Sequence, residues 1–332
     1  MLYGFPNAFS TFVDGNGLET VVSRIQDELQ VCLELSQTQA ANKPEGSTED
    51  ITSPTSSRGD IPIPYEHAML FKGMLKFVWH ILQTSGTTDR VRNLIEGPLP
   101  GVLHSIISNR KTFGATIFAL AVNIFATFIH NEPQSYNILS EKDIPVAFLD
   151  AISTDVPAFS EVLAAIPNAL GALCLNSGGL DLVKERNPFP RFCAIMYSQE
   201  HFRVLLDEDA ASMLGHGFDE LVRHHPPLKD LVMNAVIDTL KHIVHLSNDV
   251  PDDPDHYTYC LHFVQTPQEK GPVKMVEPDV KPDEPKFSFK VNCIEVASRV
   301  GYDCIMSCIH MYTSSSWRHS LRHRSTVKTF LH

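Results

Sequence analysis

The chain has no P-loop, no GxGxxG turn, no GxSxG nucleophile elbow and no HExxH pair. Nucleotide chemistry, acyl transfer and metal-assisted hydrolysis therefore have no recognisable carrier. Basic residues are scarce: 27 Lys and Arg stand against 39 Asp and Glu, for a formal net charge of -12. Such an average surface repels nucleic acid and anionic lipid. The opening residues, MLYGFPNAFSTFVDG, carry no basic n-region and no long apolar core, so no secretory signal is expected. Cysteine is sparse and odd in number, seven residues mostly set in apolar runs, which fits a reducing compartment better than a disulfide framework. A cytoplasmic or nuclear location is the expectation.

Charge is missing altogether from Thr112 to Ile129, TFGATIFALAVNIFATFI. A segment that apolar leaves water either for a bilayer or for the centre of a helical stack. Asn123 in its middle, the lack of an aromatic belt, and a copy at Phe159 to Asn176 that carries Glu161, Pro167 and Asn168 favour the stack.

That copy belongs to a repeat. Pro100, Pro145 and Pro190 are spaced by 45 residues, each opening an apolar helical segment, where proline sacrifices no hydrogen bond. Leu103 matches Phe148, Ile107 matches Ile152, Asn123 matches Asn168 and Asn131 matches Asn176 at the same spacing. Periods of about 40 to 47 residues with two or three helices each point to an armadillo or HEAT-like solenoid, whose units bury their apolar faces only by stacking. Pro167 replaces Val122 of the first unit and is expected to bend or divide the second long helix.

With 332 residues, 43% of them hydrophobic, the chain can fill a large core. The fold class expected is all-α, a helical-repeat solenoid with disordered acidic and Ser/Pro-rich insertions. Residues 1–36 form an N-terminal helical unit, with Leu18, Val21, Val22, Ile25, Leu29 and Leu33 at helical spacing. Residues 37–62 are too polar to repay ordering and read as a flexible insertion. The repeats occupy 63–247, beginning with a helix over Tyr65 to Gln83 whose expected core face is Leu70, Met74, Phe77, Val78 and Ile81. Further helices are expected at Asp209 to His225 and Leu228 to Leu246, the latter with Met233, Val236, Ile237, Leu240 and Ile243 in a stripe. An acidic, proline-rich linker follows over 248–286, a terminal helix over 287–312 and a basic tail over 313–332, taken as disordered.

Three asparagines are the candidate binding residues. Asn123, Asn168 and Asn176 recur in the repeat register, and a ladder of amides on the inner helices of a solenoid can hold the backbone of an extended peptide. The alternative is that they cap or bridge neighbouring helices. Asp238, His242 and His245 share one side of a helix, and Cys304 and Cys308 form an i, i+4 pair, but neither group has a four-ligand zinc pattern. No catalytic, cofactor or metal residue is assigned. The tail around Trp317, with Arg318, Arg322, Arg324 and Lys328, could touch nucleic acid or acidic protein, but a disordered, charged terminus without a partner is the favoured reading.

The run Pro167 to Leu180, the segment Asn187 to Phe192, the stretch Phe218 to Lys229 and the opening Phe12 to Leu18 resemble the N-terminal armadillo-like region of the giant HECT-type E3 ubiquitin ligases. The likeness covers about residues 6 to 250. It implies a scaffold that recruits and frames folded protein substrates or ubiquitin-pathway proteins, without a membrane and without a cofactor. None of the seven cysteines sits in the Thr-Cys-x-Asn setting of the HECT nucleophile, so the resemblance assigns no catalytic residue. The departure after about Val300, where the family would continue into further repeats, implies a piece of a larger architecture. Two other functions stay open: the N-terminal part of an active ligase whose HECT domain lies elsewhere, and a peptide-binding carrier of the nuclear-import type.

Overall fold

The structure, a computed structural model, describes residues 11–12, 15–41, 63–83, 93–205, 208–248, 260–262 and 274–276. The Ser/Pro-rich insertion beyond Ala41, the terminal helix with Cys304 and Cys308, and the basic tail lie outside the described residues. The chain divides into two units, Met1–Phe192 and Cys193–His332.

The first unit is built from α1 (Gly17–Ala41), α2 (Tyr65–Gln83), α3 (Leu99–Ser108), the single turn α4 (Arg110–Phe113), α5 (Ala115–Asn131), α6 (Ser135–Glu141), α7 (Ile144–Thr154), α8 (Ser160–Leu173), α9 (Ser177–Arg186) and α10 (Phe189–Cys193). Its helices pack in two layers. In one, α1 lies on α3 and α3 on α7; in the other, α2 lies on α5 and α5 on α8. The layers are joined by α1 against α2 and α3 against α5. The 45-residue register is thus realised as whole helices: α3 and α5 recur as α7 and α8. The equivalent helices α3 and α7 open on Leu or Ile followed by proline, Leu99-Pro100 and Ile144-Pro145, where the missing N–H has no intrahelical acceptor to lose.

The uncharged segment is α5, and it is the centre of this unit. Phe118, Phe125 and Phe128 on α5 and Phe113 just before it are fully buried. The Phe125 ring meets Phe148 of α7 with centroids 5.6 Å apart. The helix begins three residues later than the uncharged run, because Gly114 takes φ 79, a backbone region open to glycine at little cost. Among the described residues, no helix is long and apolar enough to cross a membrane.

Several expectations shift. The helix α1 runs on to Ala41, past the expected end at Ser36. The core face of α2 is rotated one position from the expected stripe. Phe71, Leu75, Val78, Ile81 and Leu82 are buried while Leu70 is 46% exposed, because both stripes satisfy helical spacing and only packing chooses between them. Pro167 does not divide its helix. It is buried inside a single element over Ser160–Leu173, where packing outweighs the roughly 3 kcal/mol that an interior proline costs.

The second unit holds the 3-10 turn Ala194–Tyr197, α11 (Gln199–Leu205), α12 (Glu208–His224), the 3-10 turn Pro226–Leu228 and α13 (Lys229–Asn248). Its core is Leu214, Phe218, Leu221, Val222, Leu228, Val232, Ala235 and Val236. On α13 the buried face is therefore Val232, Ala235, Val236 and Thr239, and Ile237, expected in the core, is 38% exposed. Inside the stretch expected as a mobile linker, β1 (Cys260–His262) pairs antiparallel with β2 (Lys274–Val276), Cys260 opposite Val276. The fold class remains all-α.

Candidate interaction surface

A helix flanked on both sides by others keeps only a narrow strip for solvent, and on α5 that strip is Thr116, Asn123, Thr127 and His130. The offsets of 7, 4 and 3 residues hold them on one face. On α8 the corresponding strip is Glu161, Ala164, Asn168 and Gly171. The two strips adjoin, since His130 Nε2 lies 3.1 Å from Asn168 Oδ1. The sequence therefore placed Asn123 and Asn168 in equivalent positions, and the structure sets both on accessible strips of neighbouring helices.

Their states differ. Asn123 is half-buried; its carbonyl accepts from Thr127 Oγ1 at 2.7 Å, and among the described residues its side-chain amide makes no hydrogen bond. Asn168 is exposed and has one acceptor site occupied by His130. Asn176 stands apart from both. It is the N-cap of α9, accepting from the Gly178 N–H at 2.9 Å, and its Nδ2 donates to the Pro133 carbonyl at 3.4 Å. Its counterpart Asn131 donates to the Leu82 carbonyl at 2.9 Å. This second asparagine pair braces one repeat on the preceding one. Gly179, close behind, has a packing reason: a Cβ there would sit 2.1 Å from the Leu173 carbonyl oxygen.

Other polar residues escaped the sequence reading. Arg110 donates through Nε to the Asp155 carbonyl at 2.6 Å and through Nη2 to Thr154 Oγ1 at 2.8 Å, while Lys111 pairs with Asp155 at 2.9 Å. Arg110 and Asp155 are 45 residues apart, so the repeat register itself was the available signal. Arg186 reaches Asp150 at 2.9 Å. Between the layers, Glu28 of α1 is buried and held by His67 of α2 and by Arg24. No sequence pattern announced that pair, because its partners are separated by the insertion. Two thiols are held in the neutral form: burial pushes Cys174 up to about 12, partly countered by Lys184, and burial together with the negative Glu28 pushes Cys32 up to about 11. Thiol is the form that neither attacks nor ligates.

Of the metal candidates, the side chain of His245 and both Cys304 and Cys308 lie outside the described residues. Asp238 pairs with Lys241 at 3.2 Å, His242 is exposed, and among the described residues no group of three His, Cys, Asp or Glu is placed to hold an ion.

These features define an all-α helical-repeat protein whose first unit presents adjoining solvent-facing strips on two equivalent helices. The chain belongs to the family described as Domain of Unknown Function (DUF913), whose model matches residues 1–284. It is similar to the E3 ubiquitin-protein ligase ptr1 of Schizosaccharomyces pombe, 37% identical over 71% of this chain and 7% of that protein. It is also similar to the E3 ubiquitin-protein ligase HUWE1 of Mus musculus, 31% identical over 72% of this chain and 6% of that protein. The E3 ubiquitin-protein ligase UPL1 of Arabidopsis thaliana is 32% identical over 72% of this chain and 6% of its own length. The chain thus spans 6 to 7% of the length of these relatives, and the family resemblance read from the residues is met.

Proposed function

We propose that the chain is a non-catalytic helical-repeat scaffold for protein–protein interaction in the ubiquitin system, recruiting protein substrates for a HECT-type ligase in the cytoplasm or nucleus. The observation that carries this reading is the match over about seven tenths of the chain to proteins named E3 ubiquitin-protein ligases. Physical support comes from the repeat architecture, since stacked helices leave long accessible strips and rigid spacing between them. Three helices per 45 residues, as in α6, α7 and α8, correspond to an armadillo-type unit. The test is capture by the purified full chain of ubiquitin-conjugating enzymes and ubiquitylated proteins, compared with a variant that cannot fold. Fold-dependent enrichment is expected. Equal recovery on both would overturn the reading.

A second reading has its own observation. Because the chain spans so small a share of its relatives, it can be the N-terminal part of a longer active ligase. The two readings agree that no thioester forms here. Incubation with activating enzyme, conjugating enzyme, ubiquitin and ATP should leave every cysteine unmodified, and a thiol-sensitive ubiquitin adduct on this chain would refute both assignments of its role.

A further inference from the structure

We infer that the outer side of α2 is an interface between two copies of this chain, the two α2 helices lying antiparallel and crossing at Gly73; the inference is independent of what the scaffold recruits. The helices α1 and α2 end the two described layers, and their outer sides differ. That of α1 is polar, carrying Glu19, Ser23, Gln26, Asp27, Gln30 and Glu34, as the closing element of a repeat array should be. That of α2 is not: Tyr65 is 72% exposed, and Met69 and Leu70 are 46% exposed each. Single apolar residues are ordinary on a surface, but three crowded into the first two turns of one helix mark a contact.

Gly73, in the middle of this side, is the second observation. Glycine inside a helix is less favourable than alanine because it loses more backbone freedom, and nothing within the chain requires it here, since a Cβ at Gly73 meets no atom within 4 Å. It floors a shallow groove of about 280 Å³ lined also by Lys76, Phe77, Trp79 and His80. A second helix can therefore approach there more closely than the usual separation of about 8 to 10 Å. Glu66, Leu70, Gly73, Phe77 and His80 follow one another at alternating steps of four and three, the seam of a paired helix. The Phe77 ring is held at its place on the seam by Phe12, with centroids 6.0 Å apart. About Gly73 the seam complements itself. Met69 and Leu70 of one copy meet Phe77 and the aliphatic stem of Lys76 of the other, while Glu66, the one carboxylate of α2, meets His80. A parallel pair would instead set Glu66 against Glu66 and Lys76 against Lys76, so charge selects the antiparallel arrangement. One helix face buries less than the roughly 1,200 Å² of a standard interface, and the pair is accordingly weak and dependent on concentration.

Sedimentation of the full chain should show a shift from monomer to dimer between about 1 and about 200 µM. Each copy carries a formal net charge of -12, so raising salt from about 0.05 to about 0.5 M should strengthen the pair by screening that repulsion. Leu70→Asp should weaken it at least about tenfold. Gly73→Ala, which adds a methyl where the chain itself has open space, should keep the wild-type melting temperature and still weaken the pair, so the test stands even if Leu70→Asp folds poorly. Register is read by disulfide trapping with a mild oxidant, with the wild type as the background for native cysteines. Gly73→Cys should give a covalent dimer, because at the crossing the two Cα atoms come within the roughly 4.4 to 6.8 Å that a disulfide spans. Met69→Cys should not, because an offset of four residues at about 1.5 Å each sets its two copies about 12 Å apart. A chain that stays monomeric up to about 200 µM, a dimer indifferent to both Leu70→Asp and Gly73→Ala, or equal trapping at positions 69 and 73 would overturn the inference. So would a helix of another protein captured on this face by a chain that remains monomeric.

Discussion

Helices α5 and α8 occupy the same place in successive repeats, and what they share differs sharply from what they do not. Ile117, Phe118, Leu120, Ala121, Val122, Ile124, Phe125 and Phe128 of α5 are buried, and so are their 45-residue counterparts Val162, Leu163, Ala165, Ile166, Pro167, Ala169, Leu170 and Leu173. Identity is not kept at these positions, but burial is. On the solvent-facing side Thr116 becomes Glu161 and the half-buried Thr127 gives way to the buried Ala172, while asparagine persists at 123 and 168. Stacking demands apolar volume and tolerates its redistribution. It makes no demand for an amide where Asn123 stands, and this contrast separates residues that build the array from those available to a ligand.

The comparison is tested most severely at its buried end. Phe125→Asp places a carboxylate where the Phe148 ring now packs, with no cation facing it in this apolar cluster. A loss of about 4 kcal/mol or more is expected, enough to unfold the first unit, and denaturant unfolding followed by circular dichroism measures it. A soluble variant with wild-type stability would show that α5 is not the core of the stack.

The braces come next in size. Asn176→Ala removes the N-cap of α9 and the donor to Pro133, and should cost about 1 to 2 kcal/mol. Asn131→Ala, which loses only the bond to the Leu82 carbonyl, should cost about 1 kcal/mol. The difference in denaturation midpoint between the two variants checks that the cap adds to the brace. Equal midpoints would mean that the α9 cap contributes nothing.

A smaller effect concerns the buried thiols. Because burial raises Cys174 to about 12 and Cys32 to about 11 from 9.0, the folded chain keeps them neutral after the unfolded chain has begun to ionise. Their contribution is therefore complete below pH 9.0 and is lost as the pH climbs from there towards the folded values. Melting temperature should fall across that window, and the slope should be shallower in Cys174→Ala. Identical slopes would place Cys174 in a solvated site.

Much of this was legible in the chain, and the limits have physical causes. The repeat, the helix over 65–83 and the burial of the uncharged segment could be read, because they depend on spacing and on the absence of charge. The core face of α2 was misplaced by one position because Leu70 and Phe71 both fit a helical stripe. Helix continuity through Pro167 could not be foreseen, since propensity opposes it and only the packed neighbours override it. Of the three candidate asparagines, the register paired Asn123 with Asn168 and Asn176 with Asn131, but spacing alone did not say which pair caps and braces and which faces solvent. That separation depends on which carbonyls and N–H groups come within reach, a property of the folded chain. The Arg110–Asp155 brace was present in the same 45-residue arithmetic, but a side chain donating to a backbone carbonyl that far along the chain carries no local signature.

The smallest expected change is the most informative about the strip. Asn123 lies inside α5 on an otherwise apolar helix, makes no side-chain hydrogen bond among the described residues and is only half-buried. Asn123→Ala therefore removes no bond and leaves no orphaned partner, and alanine gains roughly 0.5 kcal/mol of helix propensity. Stability should stay within about 0.5 kcal/mol of wild type or rise slightly. Asn176→Ala, the same chemical change at a position that caps and braces, should fall well outside that window. If both variants lost stability equally, Asn123 would be a structural amide like Asn176, and the distinction between bracing and solvent-facing asparagines would fail at its first position.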